Sequence, residues 1–117
     1  MMDPKVKYLN KDMCRMILKI RLLYRISHKS TYSYALIEEF SHGPVSHLMG
    51  KSGKGLKNDV YNTLTSLEKS GFIVSKAKIE GGKLKNYYHV TSVGKGAIKE
   101  SKRLMADSFK EIAKIVK

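Results

Sequence analysis

A mainly α fold carrying one small β-hairpin is predicted by three features of this 117-residue chain. Residues 56–70 place Val60, Leu64 and Leu67 at i, i+4 and i+7, a narrow apolar stripe on a helix turning about 100° per residue. Ser70-Gly71 stops that helix, and Phe72-Ile73-Val74-Ser75 switches to the β-branched and aromatic pattern of a strand. Gly81-Gly82, with Lys83 and Lys85 beside it, ends the strand, and residues 86–90 supply the returning one. A polar-faced helix followed by a basic hairpin is the outline of a winged helix-turn-helix.

The rest of the chain is read around that unit. Residues 1–10 lack a usable period and are expected to form a flexible basic tail. A first helix runs from Asn10 or Asp12, both good N-caps, to about Ile26–His28. One of its faces carries Met13, Met16, Ile17, Ile20, Leu23 and Tyr24, and a second apolar row carries Leu18, Leu22 and Ile26. More than half the circumference is apolar, which is wide for a helix in a small monomer. The second row suits burial against a partner chain; packing under the C-terminal helix of the same chain is the alternative. Residues 31–40 form a second, short helix, with Ser30 or Thr31 as its cap. Tyr34 or Ala35, Leu36 or Ile37, and Phe40 face inward. Residues 41–55 read as a loop punctuated by Gly43-Pro44, with a short turn or strand over 45–49. After the hairpin, Thr91 caps a last helix whose stripe is Ile98, Met105, Phe109, Ile112 and Val116, with Leu104 beside it. A helix over residues 92–117 spans roughly 39 Å at about 1.5 Å per residue, longer than so small a domain needs. An apolar stripe kept to the end of an overhanging helix points to completion by another chain. The expected dimer interface is therefore Leu18, Leu22, Ile26, Ile98, Met105, Phe109, Ile112 and Val116. Residues 11–91 form the expected winged-helix domain and 92–117 the dimerisation helix.

Composition narrows the function. Lysine and arginine number 23 against 10 acids, a net charge of +13. The excess gathers in residues 1–30, 51–90 and 91–117, whereas 31–50 hold no lysine or arginine. Charge concentrated in this way points to a polyanion partner, nucleic acid above all. The single cysteine, Cys14, permits no intrachain disulfide, which fits a reducing cytoplasm. The apolar stretch 13–26 is interrupted by Arg15, Lys19, Arg21 and Arg25, and is too short and charged to span a bilayer.

Nothing in the chain argues for catalysis or a cofactor. Gly50-Lys51-Ser52 resembles the end of a phosphate-binding loop, but the glycine needed five positions earlier is Val45, and no buried strand leads in. His28, His42, His47 and His89 do not pair at metal-ligand spacing, and no nucleophile elbow is present. The sharper signal is the polar face of residues 56–70. Asparagine pairs with adenine, lysine with guanine, and hydroxyls with bases or phosphates. Lys57, Asn58, Tyr61, Asn62, Ser66 and Lys69 are the expected contacts of a helix lying in a major groove, with Asn58, Asn62 and Ser66 reading bases. Lys76, Lys78, Lys83 and Lys85 on the hairpin fit backbone or minor-groove contacts. An RNA duplex is disfavoured, because its deep, narrow major groove does not admit a helix. A sequence-indifferent architectural protein and a winged-helix module for a protein partner remain as alternatives.

The chain resembles the PadR family of transcriptional regulators over about residues 16–102. The resemblance rests on Tyr34, on Val60-Tyr61-x-x-Leu64-x-x-Leu67-Glu68-x-x-Gly71-Phe72-Ile73, and on Gly81-Gly82 followed by Lys85-Asn86-Tyr87-Tyr88-His89-Val90-Thr91 and Gly94. It implies a dimeric repressor that binds double-stranded DNA, joined through its first and last helices. By position, Lys57, Asn58, Asp59, Tyr61 and Asn62 match the front of the family's recognition helix, and residues 81–85 its wing tip. The chain departs where the family usually has a serine or threonine cap and a Gly-Thr pair before the tyrosine; here stand Leu56, Asn58 and Asp59. An acid there either caps the helix or repels a wrong base. Ser33 takes the place of the glycine that commonly precedes the second-helix tyrosine. The resemblance assigns no small-molecule effector to this chain, which has no tryptophan.

Overall fold

The computed structural model describes residues 4–42 and 54–115. Expectations for residues 1–3, for the 43–53 stretch with its 45–49 turn and Gly50-Lys51-Ser52, and for Val116 lie outside them. Four helices and one three-stranded antiparallel sheet make up the described part.

Helix α1 (Pro4–His28) begins well before Asn10, so residues 4–10 are helical rather than part of a tail. Proline suits a first helical position: its fixed φ matches the helix, and the amide it lacks would have no partner there. At the other end Arg25 Nη1 donates to the Lys29 carbonyl (3.1 Å), and Nε donates to Glu39 (2.7 Å), tying α1 to the next helix.

Thr31–Tyr32 are a short strand, β1, and not the first turn of a helix; helix α2 is Ser33–Ser41. Thr31 is buried and pairs with Tyr88, and Tyr32 pairs with Tyr87. Both residue types favour strands, and this pairing holds them extended, but two residues show no period to read. Tyr32 makes no side-chain cap. Leu36, Ile37 and Phe40 point inward as expected, while Tyr34 is exposed.

Helix α3 (Lys54–Lys69) buries Leu56, Val60, Leu64 and Leu67. It ends as the Ser70-Gly71 signal predicts. Gly71 takes φ +79°, its amide donates to the Glu68 carbonyl (3.1 Å), and the Phe72 amide reaches back to Leu67 (3.0 Å). Together these two bonds occupy carbonyls that the last helical turn leaves unpaired. Strands β2 (Ile73–Glu80) and β3 (Lys83–Val90) are joined by Gly81-Gly82. Both turn glycines have positive φ, the geometry a two-residue hairpin needs to follow the strand twist. Each strand runs further toward the tip than its apolar residues suggested, because cross-strand pairing carries the polar residues along. The sheet order is β1-β3-β2.

Thr91 caps helix α4 (Ser92–Ile115). Its hydroxyl accepts from the Gly94 amide (3.1 Å) and donates to the Gly71 carbonyl (2.6 Å), so one side chain starts α4 and fastens it to the end of α3. Gly94 is buried against the Phe72 carbonyl and the Val90 side chain.

The core sits where α1, α2, α3 and the base of the sheet meet. Leu18, Leu22, Leu23 and Ile26 of α1 pack there with the α2 and α3 stripes and Ile73. This corrects the expected interface: Leu18, Leu22 and Ile26 are core residues, not partner contacts. The two apolar rows of α1 lie on nearly opposite sides of the helix. The Leu18, Leu22 and Ile26 row faces the core together with Leu23 from the edge of the first row, and Met13, Met16 and Tyr24 stay exposed. Ile98 also packs partly against this core. Beyond Met105, Phe109 and Ile112 continue the stripe into solvent, Phe109 at 67% exposure. The described residues extend 56 × 34 × 22 Å, the proportions of a body with a long helix reaching past it. No helix among them is long and apolar enough to cross a membrane.

Candidate nucleic-acid interface

Helix α3 is anchored by one side and open on the other. With Leu56, Val60, Leu64 and Leu67 buried, the helical period directs Asn58, Asn62, Thr65 and Lys69 the opposite way, and all four are exposed. Lys57 and Tyr61 lie beside them, also exposed, with the Lys57 ammonium 5.9 Å from the centre of the Tyr61 ring. Ser66 is half-buried at the flank. Thr65, on the polar face but not among the expected contacts, sits nearer its centre, and its hydroxyl donates back to the Tyr61 carbonyl (3.0 Å). Asp59 is inside the helix and not at its cap. Two short amide side chains one turn apart, with a lysine beyond them, give this face donors and acceptors for base edges.

The hairpin stands beside this face. Ser75 donates to the Glu68 carboxylate of α3 (2.8 Å), which fixes which side of the ribbon turns toward the helix. Burial, and the nearby Glu68 carboxylate, push the Tyr88 phenol up. Strand register puts Lys76 opposite Tyr87, Lys78 opposite Lys85, and Glu80 opposite Lys83. Side chains alternate along a strand, so all four wing lysines share the outer face of the ribbon.

They are not equivalent. Glu80 holds Lys78 (3.2 Å) and Lys85 (3.9 Å), and accepts a hydrogen bond from the Tyr87 hydroxyl (2.6 Å). Lys85 lies 4.4 Å from the centre of the Tyr32 ring, Lys78 5.4 Å from that of Tyr87, and the two rings meet edge to face. Lys76 and Lys83 have no ion pair among the described residues. Glu80 and Tyr32 had no role in the sequence reading, and Tyr87 entered it only as part of the family motif. A strand-period signal was there for Glu80, which stands two residues from Lys78 and hence on the same face.

The Tyr87 hydrogen bond, helped by Lys78, holds the Glu80 carboxyl below the usual carboxylate range, and the same bond pushes the Tyr87 phenol up to about 12. The clasp is therefore intact at neutral pH. It weakens as pH falls through the lowered Glu80 value, or rises toward about 12 at the phenol. Glu80→Gln removes the only acid on this face. Its expected effect is tighter binding to any duplex, by up to about tenfold near 0.1 M salt, the gain from one more phosphate contact. Gel-shift titration measures this, and absorbance titration should show the late phenol returning toward the ordinary range.

The family profile described as "Transcriptional regulator PadR-like family" matches residues 22–100. The chain belongs to the PadR family of transcriptional regulators. Its fold agrees with solved PadR structures. One from Eggerthella lenta is 20% identical, with 96% of this chain and 92% of that one covered at a TM-score of 0.73. One from Bacillus cereus is 21% identical, with 91% and 97% covered at a TM-score of 0.71. A third is Bacillus subtilis PadR in complex with operator DNA. It is 25% identical, and 72% of this chain is covered against 46% of that one, at a TM-score of 0.57. No curated protein matches the chain by sequence. PadR proteins are regulators and not enzymes, in keeping with a site that offers a polar helix face and a basic ribbon.

Proposed function

We propose that this PadR protein is a cytoplasmic homodimeric repressor that binds a roughly palindromic DNA site. Residues 57–70 enter the major groove, and the wing, residues 76–88, lies on the adjoining backbone or minor groove. The observation that carries the reading is the placement of the exposed Asn58, Asn62 and Lys69 face of α3 beside a ribbon with four lysines on one side. The crystallised complex of B. subtilis PadR with operator DNA supports a duplex as the ligand.

Dimerisation is supported by apolar surface that the single chain leaves open to solvent. Met13, Met16 and Tyr24 on α1, and Leu104, Phe109, Ile112 and Ile115 on α4, are exposed. Between these helices runs a groove of about 550 Å³ floored by Ile20, Phe40, Ile98 and Met105. A partner's α4 fills such a groove and covers both rows at once, so Met13, Met16 and Tyr24 replace Leu18, Leu22 and Ile26 in the proposed interface. Two copies of α3 then face the same duplex one helical turn apart.

The deciding experiment selects bound duplexes from a random pool and titrates the selected site against salt. If about six to ten phosphates are contacted, affinity falls by roughly 10³- to 10⁵-fold between 50 and 200 mM salt. A flat response, or no enrichment of any sequence, rejects the proposal, and salt dependence without enrichment identifies an architectural protein instead. Asn62→Ala is expected to relax preference at one base position, at a cost of about 1–3 kcal/mol, because a bidentate contact to one base is lost.

A further inference from the structure

The wing has a second face. Opposite the lysine side, the register sets Ala77 against Asn86 and Ile79 against Leu84. Nearer the body this inner face ends in Ile73 and Tyr88, which join the core. At the tip it is bare: Ile79 is 73% and Leu84 69% exposed, side by side across the two strands. Two large aliphatic side chains together at the end of a protruding ribbon form a patch that water hydrates poorly, where strand edges ordinarily carry charge.

We propose that this inner face of the wing tip is a minor-groove reading surface. Ile79 and Leu84 form an apolar wedge that presses on sugars and base edges, and Asn86 donates its side-chain amide to an adenine N3 or thymine O2. The inference rests on the DNA reading above and adds how the wing contributes to site choice. A duplex is favoured over a protein as occupant by charge complementarity: the wedge is backed by Lys76, Lys78, Lys83 and Lys85 on the other side of the same ribbon, matching the phosphates that line a groove. The Gly81-Gly82 turn carries no side chains, so the backbone can approach the groove closely. The Ser75–Glu68 bond aims this face toward α3, so a duplex lying on α3 meets it. Aliphatic wedges in the minor groove partly unstack base steps and bend the duplex. Flexible pyrimidine–purine steps yield to this most easily, so preference for them arises in flanks that α3 never touches.

The test uses the full-length chain and end-labelled duplexes that share one selected core site. Their flanks carry TA and CA steps or G·C-rich sequence, and binding and end-to-end energy transfer are both read. Wild type is expected to favour the flexible flanks by about tenfold and to bend them by at least about 20°. The Ile79→Thr/Leu84→Thr variant keeps strand preference and touches no core residue. It should lose both the bend and the flank preference while retaining the wild-type salt dependence. Asn86→Ala should keep the bend and lose the choice of A·T over G·C. The inference is overturned if wild type and the double variant bind with equal flank preference and leave the duplex straight; a protein contact then becomes the use of the tip pair. Failure of the DNA reading itself looks different, since wild type would then retain no duplex even at low salt.

Discussion

In the homodimer proposed above, replacing Phe109 and Ile112 together by aspartate is expected to leave a monomer. Its affinity for a two-half-site duplex should fall by about 10²- to 10⁴-fold, the advantage lost when two linked contacts become one. Both side chains lie on the part of α4 that runs beyond the core, and both are largely exposed within the single chain. Two carboxylates there cost the isolated fold little, yet in a dimer they would be buried without partners, which is strongly unfavourable. Sedimentation analysis reads the oligomeric state, gel shift reads the affinity, and the melting temperature of the monomer provides the check on folding. A variant that stays dimeric places the interface elsewhere. A monomer that binds as tightly as wild type removes the need for two copies.

Gly94→Ala should be among the most damaging glycine-to-alanine changes among the described residues. A β-carbon at Gly94 would enter the van der Waals surface of the Phe72 carbonyl oxygen and lie 2.8 Å from Val90 Cγ1. The obstacle is backbone, and that backbone is held in place. Phe72 is bonded to Leu67 at the end of α3, and Thr91 clamps the same junction from the α4 side. The first turn of α4 must therefore lift away, with a loss of about 1–3 kcal/mol or more. Thermal unfolding should report a fall of roughly 5–15 °C. Gly96, two residues on in the same helix, is the control. Nothing lies within 4 Å of a β-carbon there, and its φ is not positive. Gly96→Ala should instead stabilise by about 0.5–1 kcal/mol through helix propensity. Equal effects at the two positions would show that the close approach at Gly94 is not what constrains the residue.

Local signals explain how much of this architecture could be read in advance. The α3 stripe, the Gly71 stop, the Gly81-Gly82 tip and the Thr91 cap each depend on a few neighbouring residues, and each occurs in the structure where the residues indicated. The polar face of α3 was legible for the same reason: once one stripe is buried, helical geometry fixes what lies opposite. Long-range contacts account for the differences. Thr31 and Tyr32 become a strand only because β3 offers them a partner distant in sequence. The Glu80 clasp on the wing depends on the register of two strands, which sets Lys78 against Lys85 and brings Tyr87 and Tyr32 into the same cluster.

The sequence by itself determined the main helices and the hairpin, the turn chemistry, the excess of positive charge and the polar residues that lie opposite the α3 stripe, because each follows from composition or from a short repeat. Tertiary structure alone decided which of two apolar rows on α1 faces inward, since a period reveals an apolar face but not the direction in which the helix is rotated. Packing against α2, α3 and the sheet turned Leu18, Leu22 and Ile26 to the core and left the Met13, Met16 and Tyr24 row outside. It likewise divided the wing into a lysine face and an aliphatic one, a distinction that only strand register could make.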